Sequence, residues 1–299
     1  MTHTTPGVGE EDWRRATCAL PCGYPVATRR VELSPVNDLE LAIASAEAGA
    51  RVVVEHFGQT TAAELKGTND PVTHADKASE AAIVDLIRQH RPNDTIIAEE
   101  GTGTAGGSRR WLIDPLDGTV NFVHGIPQVS VSVAMYDAAL PAVAVIIDPL
   151  RDETFTAQQG GGARCNGQRM TASVADSLSG TVMATGFFYD HDRYADEYTR
   201  PVTAVLEHAN GVRRFGSAAL DLAWTAAGRF DGYWELGVAP WDIAAGILLV
   251  REAGGIVTDP FGGQASPDTR LIVAAGAAVH EPLRRLIEEN LSDRLRGAP

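Results

Sequence analysis

The sequence predicts a layered α/β fold, an α+β stack in the order α-β-α-β-α, and three observations carry that expectation. Two segments with apolar residues at helical spacing come first, a run of short strand-like segments follows, and helices and strands then alternate to the end of the chain. A chain of 299 residues, 44% of them hydrophobic, is also long enough to bury the core of one large or two packed domains.

Residues 1–34 mix Pro, Gly, Thr and charges without periodicity and read as a flexible extension. A first half, 35–178, opens with Leu39, Ala42, Ile43, Ala46, Ala50, Val53, Val54 and Phe57 on one helical repeat from Asn37, ended by Gly58. Ala75 to His90 repeats the pattern and stops before Pro92. Strand-like runs follow at Thr95–Ala98, Trp111–Asp114, Val129–Tyr136, Ala142–Ile147 and Thr154–Ala157, which suits an antiparallel or mixed sheet covered by helices. The second half, 179–299, alternates: strand near Thr181, helix Arg193–His208, strand near Val212, helix Ser217–Ala227, strand Gly232–Leu236. Helix Trp241–Ala253, strands Ile256–Thr258 and Leu271–Ala274 and helix Glu281–Leu291 complete it, with Gly254 and Gly255 suited to a helix C-cap.

Composition excludes several classes of function. A net charge of −14 without clustered Lys and Arg argues against nucleic acid. No apolar run reaches the length of a membrane span, and the first residues lack the basic and apolar regions of a signal peptide. Three cysteines, Cys18, Cys22 and Cys165, fit a reducing compartment, so a cytoplasmic protein is expected. The Cys18/Cys22 spacing could serve zinc, but no second pair completes a zinc set.

The chemistry is concentrated in Trp111-Leu-Ile-Asp-Pro-Leu-Asp-Gly-Thr119, an apolar strand that runs into two carboxylates, a glycine and a hydroxyl. Asp114 and Asp117 launched from a strand end make a hard-cation site. Gly118 permits a sharp turn, and Thr119 opens a helix whose unpaired N–H groups can hold an anion. Further carboxylates stand at element ends: Glu99 and Glu100 after Thr95–Ala98, Asp76 and Asp242 where helices begin. Taken singly, Asp76 and Asp242 suit a helix N-terminus as well as an ion, and Asp117-Gly118 suits a plain turn. Together, acids from four segments gathered without a cation would repel one another strongly.

These residues resemble a known family. Asp114-Pro-Leu-Asp-Gly-Thr-Val-Asn-Phe122, with Ala98-Glu-Glu-Gly101 before it and Trp241-Asp-Ile-Ala-Ala-Gly246 through Gly255 after it, is closely similar to the inositol monophosphatase signature. The likeness spans roughly residues 36 to 290, and Arg214-Phe-Gly-Ser-Ala-Ala-Leu-Asp-Leu-Ala223 looks like the bacterial branch. The resemblance implies the five-layer α-β-α-β-α sandwich shared with fructose-1,6-bisphosphatases, and a magnesium-dependent phosphomonoesterase. It implies that Glu99, Asp114 and the carbonyl of Leu116 hold a first Mg²⁺, whose water becomes the nucleophile. Asp114, Asp117 and Asp242 would hold a second, and Asp76 would stand near a weaker third. Thr119 would help Glu99 deprotonate the water, and Gly118 and Thr119 would offer N–H groups to phosphate.

Metals that activate the nucleophile and stabilise the leaving group make a covalent intermediate unnecessary. Ser217 lacks the nucleophile-elbow pattern and reads, with Ala218, as a helix start facing substrate. Lys66 resembles a family lysine at the hydration network, or is a solvated loop residue. Glu235, seven residues before Asp242, matches a family glutamate that accepts from ring hydroxyls. Arg213 and Arg214 could supplement recognition or simply face solvent. Met183-Ala-Thr-Gly-Phe-Phe-Tyr-Asp190 departs from the bacterial pattern, where proline commonly follows the first phenylalanine.

The expected substrate is a cyclitol or sugar monophosphate, with myo-inositol 1-phosphate first. Phosphatases for histidinol phosphate, fructose 1,6-bisphosphate and 3′-phosphoadenosine nucleotides are the alternatives within catalysis, and a regulatory binding protein is the alternative outside it. The resemblance also implies lithium sensitivity and a homodimer.

Overall fold

The computed structural model describes residues 37–59, 64–67, 70–187 and 194–292, with the backbone alone for 64–67 and 70–71. The expected N-terminal extension, Cys18, Cys22 and the Lys66 side chain lie outside the described residues. The chain runs through α1 (Asp38–His56), the hairpin β1 (Glu64–Gly67) and β2 (Asp70–Val72), α2 (His74–His90), β3 (Thr95–Ala98), β4 (Arg109–Asp117) and a short α3 (Thr119–Val123). Strands β5 (Ser130–Asp137), β6 (Leu140–Asp148), β7 (Glu153–Gln158), β8 (Gly162–Cys165) and β9 (Gln168–Arg169) follow in succession. The remainder is β10 (Val182–Thr185), α4 (Ala195–Leu206), β11 (Gly211–Arg213), α5 (Ala218–Ala226), β12 (Gly232–Leu236), α6 (Pro240–Glu252), β13 (Ile256–Thr258), β14 (Leu271–Ala275) and α7 (Ala277–Asn290).

Two main sheets result. The larger has seven strands in chain order from β3 to β9, antiparallel throughout except that β3 lies parallel to β4. The smaller has five in the order β11-β10-β12-β14-β13, with β10 parallel to both neighbours. Their cores define the layers. Leu41, Val53, Ile83 and Ile87 of α1 and α2 cover one face of the large sheet through Trp111, Ile113 and Val133. The other face, through Leu112, Tyr136 and Phe155, packs on Leu220, Ile247 and Leu249 of α5 and α6, which also meet Tyr233 and Ile272 of the small sheet. Val205, Leu283 and Ile287 of α4 and α7 close the far side against Trp234 and Val273. This is the expected α-β-α-β-α stack. Both faces of β4 are buried, which is why it reads as a continuous apolar run rather than an alternation.

Local signals set the element ends. Asn37 accepts from the Glu40 N–H at 2.9 Å while Glu40 accepts from the Asn37 N–H at 3.3 Å, a reciprocal cap on α1. Gly254, at φ +87°, takes the left-handed position just past α6. Two hairpins and one helix differ from expectation. The β8–β9 hairpin in Gly162–Arg169 is polar and glycine-rich, so it carries no strand periodicity. The β1–β2 hairpin is equally short. Helix α7 starts at Ala277 rather than Glu281, one turn earlier than expected, with Pro282 inside its second turn.

Helices α5 and α6 deliver residues to the same cavity, and Gly246 sets how closely they approach. A Cβ there would stand 2.4 Å from Leu222 Cδ1 and 2.5 Å from its Cβ. Gly246→Ala should therefore lower stability by about 1–3 kcal/mol despite alanine's better helix propensity. Urea unfolding checks this; an unchanged or raised midpoint would show that the helices separate freely.

Candidate active site

The cavity lies where the large sheet, the helices of the middle layer and the small sheet meet. Parallel pairing of β3 with β4 sets two strand ends side by side, and Glu99 follows β3 with its N–H donating to the Ile113 carbonyl at 3.2 Å. At the end of β4 the ladder with β5 slips: Asp114 pairs with Ser132 but Asp117 with Ser130, so one extra residue is accommodated around Pro115, which has no N–H to donate. The bulge brings both carboxylates to the cavity wall. Gly118 then turns at φ +90°, and a Cβ there would sit 2.7 Å from the Gln128 carbonyl oxygen. Only glycine satisfies both constraints. Asp242 arrives from the first turn of α6 and Glu235 from β12.

Glu99, Asp114, Asp117, Glu235 and Asp242 thus line one cavity, together with Leu116, Gly118, Thr119, Ser217 and Ala218. Three of the acids are anchored through one oxygen. Asp114 Oδ1 accepts from the Leu116 N–H at 3.0 Å. Asp117 Oδ2 accepts from Ser217 Oγ at 2.6 Å, the Ala219 N–H at 2.8 Å and Ser130 Oγ at 3.3 Å. Asp242 Oδ2 accepts from the Ala239 N–H at 2.7 Å. Capping and cavity placement are therefore compatible for Asp242: one oxygen closes the helix end and the residue still faces the site. Ser217 caps α5, and its hydroxyl is committed to Asp117.

Burial holds the Asp114 and Asp242 carboxyls well above the ordinary carboxylate range, and the charges of Glu99, Asp117 and each other's neighbours add to it. Asp117 is also raised by burial, with its hydroxyl and amide donors acting in the opposite direction. Among the described residues no three acidic, histidine or cysteine side chains crowd into a ready-made coordination shell. The carboxylates ring the cavity instead. That suits magnesium, a hard cation that prefers oxygen ligands and keeps several of its waters.

Asp76 stands apart from the cavity lining. It sits at the third position of α2, where Oδ2 accepts from the N–H of Thr73 at 2.8 Å and from its hydroxyl at 2.5 Å. Oδ1 is 3.0 Å from Thr119 Oγ, which is also 3.0 Å from the Leu116 carbonyl oxygen; one hydroxyl proton serves one of them at a time. Arg214, open to solvent, still lines the cavity, and its guanidinium lies 5.6 Å from the Phe187 ring and donates to the Phe187 carbonyl at 3.3 Å. Arg213 turns away to the Val212 carbonyl. Glu100 is not in the cavity wall; its N–H donates to Glu80 at 2.7 Å. Two neighbours of Glu235 carry no sequence signal of a site: Tyr233, which reads as strand core, and Gly186.

Known proteins share both the sequence and the fold of this chain. The model of the inositol monophosphatase family matches residues 34–292. The Nus factor SuhB of Escherichia coli K12 is 44% identical over 262 residues, covering 86% of this chain and 98% of that protein. The crystal structure of the extragenic suppressor protein SuhB of Bartonella henselae superposes with a TM-score of 0.80 at 38% identity, covering 83% of this chain and 97% of that one. An inositol monophosphatase from Anabaena gives 0.76 at 37% identity, covering 84% and 95%.

Raised carboxyl pKa values have a definite sign for stability. The unfolded chain ionises its aspartates near pH 4 while the folded chain resists, so the folded state holds more protons and loses stability as pH rises above that value. The metal-free protein should melt at progressively lower temperature between pH 5 and pH 8 (roughly, from the ordinary aspartate pKa) unless Mg²⁺ is added. Asp114→Asn should raise the metal-free melting temperature at pH 8 and reduce the Mg²⁺ effect. Scanning fluorimetry checks both; a metal-free melting temperature independent of pH and of Asp114 would contradict the repulsion.

Proposed function

Because the chain belongs to the inositol monophosphatase family, we propose that it is a magnesium-dependent phosphomonoesterase for a cyclitol or sugar monophosphate, with myo-inositol 1-phosphate the first candidate. The observation that carries the reading is the gathering of Glu99, Asp114, Asp117 and Asp242, from three separate stretches of chain, around one cavity. Magnesium bound there supplies Lewis-acid activation of water and neutralises the charge on the phosphoryl and leaving oxygens. Glu99, Asp114 and the Leu116 carbonyl would hold one ion, and Asp114, Asp117 and Asp242 a second.

The chain's own residues do the rest. Glu99 takes the proton of the attacking water, and the Thr119 hydroxyl, which donates to Asp76 or to the Leu116 carbonyl, orients it. Gly118, Thr119, Ser217 and Ala218 bound the phosphate end of the cavity. Ser217 acts there by fixing Asp117, since its hydroxyl is already donated. Asp76 would have to give up one of its donors, Thr73 or Thr119, to meet a third ion.

Glu235 marks the alcohol end. Its carboxyl, pushed up to about 7 by burial, accepts from substrate hydroxyls best when ionised. Mg²⁺ in the same cavity would lower this value, so KM for a polyol phosphate should fall as pH rises, with its acid-side midpoint at or below about 7. Lithium inhibition, a homodimer and a cytoplasmic location belong to the same proposal. No helix of the described residues is long and apolar enough to cross a membrane.

A second reading, a regulatory binding protein, is favoured by the Nus factor name of the bacterial relatives. The intact acid set and Thr119 favour catalysis. Asp114→Asn, which keeps the Leu116 N–H acceptor but removes a charge shared by both ligand sets, should reduce kcat by about 10³-fold or more, roughly 4 kcal/mol. A phosphate-release screen with Mg²⁺ over inositol, sugar, nucleotide and histidinol phosphates settles the alcohol. Rapid turnover of one of the others with none on inositol phosphates would replace the substrate, and near-normal activity in Asp114→Asn would refute the mechanism.

A further inference from the structure

Glu235 is held from two sides. The Tyr233 hydroxyl donates to Glu235 Oε2 at 2.5 Å, within the range of a charge-assisted O–H···O⁻ bond. The two residues are two apart on β12 and so project from the same face of the strand. Tyr233 is completely buried, flanked in the sheet by Ala184 of β10 and Ala274 of β14, whose small side chains leave room for its ring. Burial and the charges of Glu235 and Asp221 keep the phenol protonated far above its usual range, so it remains a donor. On the other side the carboxyl lies over Gly186: a Cβ there would fall 2.0 Å from Oε2 and 2.3 Å from Oε1. Any side chain at position 186 would occupy the space the carboxyl now fills.

We propose that Tyr233 is a specificity-positioning residue, which with Gly186 locks one oxygen of Glu235 in place and leaves the other to meet the hydroxyls of the substrate alcohol. The inference rests on the phosphatase reading and deepens it. A carboxylate free to rotate would accept hydroxyls in many geometries; one pinned by a buried phenol offers a single acceptor direction, so discrimination comes from preorganisation. Tyr233 acts through Glu235 and has no place in the phosphoryl chemistry. Its contribution is therefore expected in KM for substrates that carry hydroxyls beside the ester and not in kcat.

The test is steady-state kinetics of the full chain with Mg²⁺ on myo-inositol 1-phosphate and on p-nitrophenyl phosphate, which has no hydroxyl for Glu235. Tyr233→Phe keeps the ring and removes only the donor. It should raise KM for inositol phosphate about tenfold relative to that for p-nitrophenyl phosphate, with kcat on both changed less than about threefold. Gly186→Ala, which displaces the carboxyl without touching the core tyrosine, should produce the same selective loss and serves if Tyr233→Phe does not fold. In a Glu235→Gln background Tyr233→Phe should add little. Equal KM changes on both substrates, or none, would overturn the positioning role while leaving the phosphatase standing. A wild-type chain that cleaves neither ester would overturn both.

Discussion

Like charges brought together out of water are the constraint on which this structure turns. Burial and mutual repulsion hold Asp114 and Asp242 well above the ordinary carboxylate range, so the chain works against itself wherever these acids are gathered. The surrounding architecture supplies the opposing force. Parallel pairing of β3 and β4 sets Glu99 beside Asp114, the bulge at Pro115 brings Asp117 into the same wall, and the start of α6 adds Asp242. Each of these elements is rooted in a core layer that would have to open for the acids to separate.

Anchoring follows a common plan. One oxygen of Asp114, Asp117 and Asp242 is tied to backbone or hydroxyl donors, which fixes the direction of the carboxylate without satisfying its charge. The same plan recurs at Glu235, where a buried phenol replaces the backbone donor. An oriented but uncompensated carboxylate suits a cation at the phosphate end. At the alcohol end it suits neutral hydroxyls, and the difference lies in how many acids share the space.

Much of the site was legible because it is local. Asp-Pro-Leu-Asp-Gly-Thr encodes the strand end, the sharp turn and the helix start in adjacent residues, each with its own physical signature, whereas the bulge at Pro115 shows only in the pairing of β4 with β5. Glu99 and Glu100 could not be separated by pattern alone, since only the parallel pairing of β3 decides which one enters the cavity. Capping and site roles for Asp242 could not be told apart either, because both are true of it. Tyr233 and Gly186 were illegible: a tyrosine in an apolar strand reads as core, and the need for glycine arises from a carboxylate 49 positions away in the chain. The fold showed the same division, with long helices and apolar strands evident while the polar β8–β9 hairpin was not.

The most direct test is anomalous diffraction from crystals soaked in Mn²⁺, a magnesium substitute of the same ligand preference. The account predicts cation peaks inside the cavity, one bounded by Glu99 and Asp114 and one by Asp114, Asp117 and Asp242, with Asp114 common to both. A cavity without anomalous density at saturating Mn²⁺, its carboxylates unmoved and facing only water, would contradict it.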